Sequence, residues 1–267
     1  MKIRAIAMNT FISLLRNKII ILFCAVFVGV VLLMMTPLLA MKAMTSVETA
    51  SQIQTTVIGM VAVITSMVSG FGSLLAAFAA ADAVWSEMKS GTILAVLARP
   101  VRRWEFLLGK YLGVQILMCI YVVCIFGLSY LLSWMGGARI HSSPWVLLVY
   151  PLVRYAMYSA IAMLLVMAMH PVVAFAVVLV ISVLAQIVPP WTNGMRFLPI
   201  WFRKAFYAVL PSTNLLSESR FLTITQAQLK NVAWTSHLTA LAYGLDYALV
   251  FFLLTVWVFR TRSLIRD

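Results

Sequence analysis

The side chains of this sequence that could do binding chemistry are concentrated between residues 83 and 105, which separate two long apolar runs. Trp85 and Glu87 come first, and a Gly-Thr pair then interrupts the helical pattern. A short Leu-rich apolar face follows and ends before Pro100, because the residue before a proline is pushed out of the α region. A preference for Lys and Arg beside the cytoplasmic ends of spans accounts for the basic residues here, but not for the apolar face. A short helix with an apolar face beside charges usually docks on another protein, so the segment predicts a partner-binding surface.

No group of residues has the spacing of a catalytic or metal-binding motif. The histidines His141, His170 and His237 stand alone, without the spacing that holds a metal ion. The seven acidic residues include no pair spaced for carboxylate chemistry within one apolar run, and no Gly-x-Ser-x-Gly motif is present. The chain also lacks the G-x-x-x-x-G-K-[ST] loop that cradles nucleotide phosphates. We therefore expect a chain that is not an enzyme and that has no metal or cofactor of its own.

The composition places most of the chain in lipid. Its 267 residues are 64% hydrophobic and 10% charged, with a mean hydropathy of +1.03. Soluble domains are about half apolar and about a quarter charged. The net charge of +13 would suit nucleic acid, but the basic residues lie mostly beside apolar runs, where they set topology and meet anionic headgroups. No basic domain remains for nucleic acid, so the expected partners are membrane lipid and protein.

Six apolar runs approach the length of about 20 residues that a membrane-spanning helix needs. The predicted fold is all-α and polytopic, a single transmembrane domain of residues 1–267. Its six spans are predicted at 19–41, 56–81, 106–134, 145–169, 172–188 and 238–259. His170 and Pro171 alone separate the fourth and fifth spans, which predicts a tight helical hairpin. Pro189-Pro190 ends the fifth span, because proline has no N–H to donate and clashes with the preceding turn.

The distribution of Lys and Arg predicts the orientation. The larger basic set lies near the N-terminus, in the 83–105 segment and after the last span, close to the ends of the apolar runs. Cytoplasmic loops carry the excess of Lys and Arg, so we expect both termini and this segment in the cytoplasm. The expected location is the cytoplasmic (inner) membrane of a bacterium.

Two segments are predicted to lie on the membrane surface. At the N-terminus, apolar residues recur at helical spacing among basic and polar ones, which is typical of an amphipathic interfacial helix. This helix would be a topology anchor or a mechanical element. In the outer loop 190–237, the segment MRFLPIWFRKAFYAVLPSTNLL is aromatic, basic and broken by prolines. It is expected to cap the bundle at the outer interface or to gate a substrate path.

Three charged residues fall at or inside the predicted spans, where charges are costly and usually functional. Asp82 lies at the cytoplasmic end of the second span. Arg154 and Asp246 lie at similar depth in the outer halves of the fourth and sixth spans, which predicts an ion pair. Such a pair would lock the two spans together or belong to a substrate site.

The segment SEMKSGTILAVLARPVRRWEFLLGKYLG resembles the cytoplasmic loop of ABC-2 type transporter permeases. The shared pattern is a Glu, a Gly-Thr pair, a short Leu-rich helix, Arg-Pro-Val and then Arg-x-Glu-apolar-Leu-Gly-Lys. Its positions here are Glu87, Gly91, Thr92, Leu94, Leu97, Arg99, Pro100, Val101, Arg103, Glu105, Leu108, Gly109 and Lys110. The amphipathic start, VLPSTNLLSESRFL and VFRTRSL resemble that family's interfacial elbow helix, the segment before its last span and its basic tail. The pattern departs at Arg102, where a small polar residue is common.

The resemblance implies the permease subunit of an ATP-driven transporter, which in most of that family is an exporter. Such permeases pair as homo- or heterodimers and bind separate ABC ATPase subunits, which hold ATP and Mg²⁺. The short helix after the second span would act as the coupling helix that fits a cleft on the ATPase. The residues implied in this coupling are Trp85, Glu87, Gly91, Thr92, Leu94, Leu97, Arg99 and Arg103.

An alternative of another class is a membrane anchor or assembly subunit that holds a cytoplasmic partner without moving a substrate. The same loop would serve both functions, and ATP-driven transport by the complex separates them. An ion channel is a third interpretation, but the sequence shows no clear pore-lining ring of charge.

Overall fold

The computed structural model describes residues 2–43, 50–90, 102–135, 144–187, 211, 213–216 and 234–261. Within these ranges the chain forms seven α-helices and one short 3₁₀ helix at Thr213–Leu216. The α-helices are α1 (Lys2–Arg16), α2 (Lys18–Ala43), α3 (Ala50–Ser90), α4 (Arg103–Met135), α5 (Pro144–Ala168), α6 (Pro171–Ile187) and α7 (Trp234–Thr261). The prediction of an all-helical protein is confirmed for the described residues.

A helix covers or nearly covers each predicted span, but fewer helices qualify as spans by length and composition. Four do so, within α3, α4, α5 and α7. A fifth is added if α1 and the first part of α2, which meet at 67°, form one bent span. Helix α6 is apolar but shorter. The described residues therefore give four or five candidate spans, where the sequence predicted six.

Helix α3 is longer than its predicted span because polar residues continue the helix after the apolar run ends. Its 41 residues make about 60 Å of helix, roughly twice the thickness of a hydrocarbon core. Residues 82–90 include Glu, Met and Lys, which are good helix formers. The last turns of α3 therefore carry polar side chains beyond the apolar run, directly before the predicted loop 91–101 in the sequence.

Two short breaks set the directions of neighbouring helices. At the first, Asn17 Oδ1 accepts a hydrogen bond of 3.0 Å from the Ile19 N–H, which caps the start of α2. At the second, the His170 carbonyl oxygen accepts a hydrogen bond of 2.9 Å from the Ala174 N–H. Pro171 takes the first position of α6, where no N–H is needed. Helices α5 and α6 pack against each other across this turn, as the predicted hairpin requires.

Helix α5 lies at the centre of the bundle and packs against α3, α4, α6 and α7. In the apolar stretch of α5 that could span a membrane, 72% of the residues are buried, against 17% in the corresponding stretch of α7. Its largest fully buried side chains are Tyr150, Tyr155, Met157, Tyr158 and Met163. Helix α3 faces it with small residues, and a Cβ at Gly72 would collide with the Tyr155 ring. Small residues let membrane helices approach closely, so α3 and α5 form the core while α7 is peripheral.

Candidate functional site

A polar cleft of about 190 Å³ lies between α1, the last turns of α3 and the first turns of α4. Its polar lining is contributed by three helices: Asn9, Thr10 and Ser13 on α1, Asp82, Ser86 and Glu87 on α3, and Lys110 on α4. Residues 91–101, the predicted cytoplasmic loop, contain most of the predicted coupling residues and connect α3 to α4 along the chain. The structure therefore gathers polar groups from three helices beside the segment that the sequence singled out.

The most buried charge of this polar cleft belongs to an ion pair between the Lys110 ammonium and the Glu87 carboxylate. The Lys110 side chain is 4% exposed and that of Glu87 is 19% exposed. Lys110 Nζ also lies 5.7 Å from the ring centroid of Phe106, within cation–π distance. Removing one partner of a buried pair is strongly destabilising, because it leaves an uncompensated charge. The pair therefore holds the two helices that flank the loop 91–101 at a fixed spacing.

A second polar contact joins the break between α1 and α2 to the end of α3. Asn17 Nδ2 donates a hydrogen bond of 2.8 Å to Asp82 Oδ2, while Asn17 Oδ1 caps α2. One amide thus sets the bend and attaches it to α3. The sequence marked Asp82 as a charge at a span end, but it gave no sign of Asn17, which is 65 residues away along the chain.

Helix α1 docks on α4 at two glycines that are four residues apart. A Cβ at Gly109 would lie 2.7 Å from Ile6 Cβ, and a Cβ at Gly113 would lie 2.7 Å from the Ala7 carbonyl oxygen. The sequence GKYLG has the small-xxx-small spacing that permits close helix approach. The buried residues of α1 are Ala7, Thr10 and Leu14. The predicted amphipathic helix is therefore present and packs along α4.

The first residue of α4 contacts the last turn of α7. Arg103 Nη1 donates hydrogen bonds to the carbonyl oxygens of Phe259 at 3.2 Å and Arg260 at 3.1 Å. The last four carbonyls of a helix have no partner inside that helix, and a cation beside them is favourable. One turn further on, the Phe106 ring stacks on that of Phe259 with centroids 6.3 Å apart. Arg103, which the resemblance implied in ATPase coupling, is exposed at the surface and is held by its hydrogen bonds against the end of α7.

A reciprocal pair of hydrogen bonds starts α4. Glu105 Oε2 accepts the Arg102 N–H at 3.0 Å, and the Arg102 carbonyl oxygen accepts the Glu105 N–H at 3.0 Å. The first bond is the glutamate half of a capping box, in which a Ser or Thr usually supplies the other half. Arg102 contributes only its backbone to these bonds, so its departure from the family pattern leaves the part played by Glu105 intact.

Trp85 is half-buried and faces the turn between α5 and α6. Its ring meets the His170 ring edge-on, with centroids 4.9 Å apart. The end of α3 therefore contacts that hairpin through Trp85 and contacts α4 through Glu87. The other predicted coupling residues, Gly91, Thr92, Leu94, Leu97 and Arg99, lie outside the described residues.

The predicted ion pair between Arg154 and Asp246 is not formed in the structure. Arg154 is 9% exposed inside the bundle, whereas Asp246 is exposed on α7. Helix α7 meets α5 at Gly244, where a Cβ would strike Val153. Two residues turn an α-helix by about 200°, so Asp246 points away from α5. The sequence gave the depth of both charges along their spans, but depth does not decide which face a residue occupies.

Hydrogen bonds between side chains also join the helices inside the bundle. Gln115 Nε2 on α4 donates to Ser159 Oγ on α5 at 2.7 Å. Tyr150 Oη and His237 Nδ1, 2.7 Å apart, join α5 to the first turn of α7. Such bonds contribute about 0.6 kcal/mol each on average between membrane helices, so they orient helices more than they stabilise them. In the part of the chain that the structure describes, no group of three His, Cys, Asp or Glu residues is placed to hold a metal ion.

Long apolar helices around a buried α5, with a charged cleft beside a loop between two of them, define a polytopic α-helical membrane protein. A family model described as ABC-2 family transporter protein matches residues 4–264. The match covers nearly the whole chain, so this protein belongs to the ABC-2 family of transporter membrane proteins. That family consists of membrane permeases that lack an ATPase domain. Comparison with curated proteins found no match.

Proposed function

We propose that this protein is the permease subunit of an ATP-driven ABC-2 exporter, coupled through residues 83–105 to separate ATPase subunits. The observation that carries the proposal is the buried Glu87–Lys110 pair, which holds the helices at both ends of the loop 91–101. In a chain of this family, a loop with fixed ends transmits a push from a docked partner to α3 and α4. A loop with free ends would absorb that push.

The contacts around the polar cleft extend this movement to neighbouring helices. Helix α3 is attached to the α1–α2 bend through Asp82 and Asn17. Helix α4 is in close contact with α1 at Gly109 and Gly113. Tightly packed elements shift as rigid bodies and do not deform continuously. ATP-driven movement of the loop would therefore displace α1, α3 and α4 together, and α5, which packs on α3 and α4, would follow.

We propose six spans formed by α2 to α7, with α1 in the cytoplasmic interface and both termini in the cytoplasm. The shortest of these, α6, has 17 residues, which make about 25 Å of helix against a core of about 30 Å. A mismatch of this size costs fractions of a kcal/mol per Å and is met by local thinning of the bilayer. The agreement of each predicted span with a helix supports this topology.

The proposed complex contains a second permease, either a copy of this chain or a homologue, and ATPase subunits that hold ATP and Mg²⁺. Large apolar side chains lie exposed along α7, at Leu238, Leu245, Leu249, Leu253 and Trp257. In a membrane such a face meets lipid or another membrane helix, which is consistent with either pairing. The proposed location is the cytoplasmic (inner) membrane of a bacterium. A non-transporting anchor would use the same loop, and transport driven by ATP would exclude it.

Purification of the complex from its native membrane tests the proposal. Leu94→Arg places a charge on the apolar face that is expected to enter the ATPase. Trp234→Arg is the matched control. It adds the same charge at the first residue of α7, far from the end of α7 that contacts the start of α4, and Trp234 is 71% exposed. We expect an ATP-hydrolysing polypeptide to copurify with the wild type and with Trp234→Arg. Leu94→Arg should recover at least about tenfold less of it, which corresponds to about 1.4 kcal/mol of binding energy.

Two results would count against the proposal. Equal recovery of the ATPase with all three chains would show that the loop is not the contact. Failure to recover any ATPase in several mild detergents would remove the basis for ATP-driven transport and favour the anchor.

A further inference from the structure

Helix α7 is the helix that the proposed coupling path reaches least directly. In its apolar stretch 17% of the residues are buried, and it packs mainly along α5 and less extensively along α4. A movement that begins at the loop 91–101 would reach most of α7 mainly through α5, with a smaller direct contact from α4, where the rings of Tyr111 and Phe252 lie 5.3 Å apart. A direct connection between the loop and α7 would therefore change how the bundle responds.

The structure contains such a connection at the first residue of α4. Arg103 donates to two carbonyl oxygens in the last turn of α7, those of Phe259 and Arg260. Its guanidinium carbon also lies 6.0 Å from the Phe259 ring centroid. The carbonyl oxygens of the last turn accept no hydrogen bond from within the helix. A guanidinium can supply them with several N–H donors in a fixed geometry. One side chain thus caps α7 from the residue at which the loop re-enters the bundle.

Aromatic packing places this contact next to the ion pair of the polar cleft. Phe259 is 1% exposed and stacks on Phe106, which lies one turn after Arg103. The Phe106 ring also lies near Lys110, whose Nζ is 5.7 Å from the ring centroid and which forms the ion pair with Glu87. The end of α3, the start of α4 and the end of α7 therefore share one continuous set of contacts.

We infer that Arg103 is a positioning residue that moves the end of α7 with the loop, and that it does not contact the ATPase. The inference rests on the proposed function and adds to it a second route into the bundle, separate from the route through α5. Arg103 acts on transport through α7, so its loss uncouples α7 from the loop while the ATPase remains bound.

Hydrogen exchange on the chain alone, in lipid nanodiscs, tests the contact without any ATPase. Arg103→Ala removes the donors, and Arg103→Lys keeps the charge with a shorter, single donor group. Arg260→Ala is the matched control, because it removes a positive charge at the same place and leaves the Arg260 carbonyl oxygen. We expect amides in the last turn of α7 to exchange at least about tenfold faster in Arg103→Ala, which is typical of losing one hydrogen bond to a charged group. Arg103→Lys should be intermediate and Arg260→Ala unchanged. Unchanged exchange in Arg103→Ala would overturn the inference, whatever the ATPase does.

The complex purified with its ATPase then separates this inference from the proposed function. ATP with vanadate, which traps a nucleotide-bound state, should alter exchange along α7 in the wild type. Arg103→Ala should retain the ATPase and its hydrolysis but lose this change in α7. Loss of the ATPase from Arg103→Ala would place Arg103 on the partner-facing surface and overturn the inference while the proposed function stands. Absence of the ATPase from the wild type would overturn the proposed function and the transport role of Arg103 with it, whereas the nanodisc measurement judges the contact separately.

Discussion

Lys110 is a nearly buried cation whose balancing carboxylate, Glu87, comes from a different helix. The single variants Lys110→Met and Glu87→Leu each remove one side of this ion pair. Glu87→Leu should lower the free energy of unfolding by about 3–5 kcal/mol, since the Lys110 ammonium stays buried at 4% exposure, and Lys110→Met should lower it by less, since Glu87 is 19% exposed. The double variant should be less destabilised than the sum of the two, because it buries no charge at all. Unfolding in detergent, followed by helicity, measures the cycle. Strictly additive effects would show that the two groups do not interact.

Asn17 performs two tasks that two substitutions can separate. Asn17→Ala loses the cap of α2 and the donor to Asp82, and should cost about 1 kcal/mol or more of stability. Asn17→Asp keeps an oxygen for the cap but replaces the donor with a carboxylate beside Asp82, and like charges repel. Asn17→Asp should therefore be less stable than Asn17→Ala at neutral pH, as read from the unfolding midpoint. An Asn17→Asp protein as stable as the wild type would mean that only the cap matters.

At the scale of the helices, the contact between α1 and α4 depends on the absence of side chains at Gly109 and Gly113. Gly113→Ala places a Cβ against the backbone of α1, which must shift, and overpacking of this kind typically costs about 1–3 kcal/mol. Gly127→Ala is the control on the same helix, because a Cβ there meets nothing within 4 Å. It should leave stability unchanged or raise it by up to about 1 kcal/mol, since Ala favours helix over Gly. Thermal unfolding of both variants, with proteolysis of α1 as a second readout, compares them. Equal behaviour of the two would contradict the docking of α1 on α4.

The sequence located the helices well because apolar runs, proline breaks and amphipathic spacing are local signals. It placed the turn at His170 and the N-terminal amphipathic helix correctly, and the resemblance in the loop gave the family. Prediction from the sequence failed where a contact depends on which faces of two helices pack together. Asp246 was matched to Arg154 by depth, whereas α7 turns Asp246 away from α5. Asn17 and the contact of Arg103 with α7 carry little local signal, because each residue acquires its role only when a distant helix packs beside it.

At the scale of the whole molecule, the proposed topology places Trp104 and Trp234 on opposite sides of the membrane. Both side chains are exposed, 42% and 71% respectively, so cysteines placed there should react. In a background where Cys24, Cys119 and Cys124 are replaced by Ser, an impermeant maleimide applied to intact cells should label Trp234→Cys and not Trp104→Cys. Opening the membrane should make both label. Labelling of Trp104→Cys in intact cells would invert the proposed orientation.

The central claim is that the loop between α3 and α4 meets a separate ATPase, and crosslinking in the native membrane tests it most directly. A photoreactive amino acid would replace Leu94 in the loop or, as a control, Trp234 at the other end of α7. The account predicts that position 94 captures a polypeptide carrying the G-x-x-x-x-G-K-[ST] phosphate-binding loop, and that position 234 does not. Capture of no nucleotide-binding polypeptide at position 94, or equal capture at both positions, would contradict it.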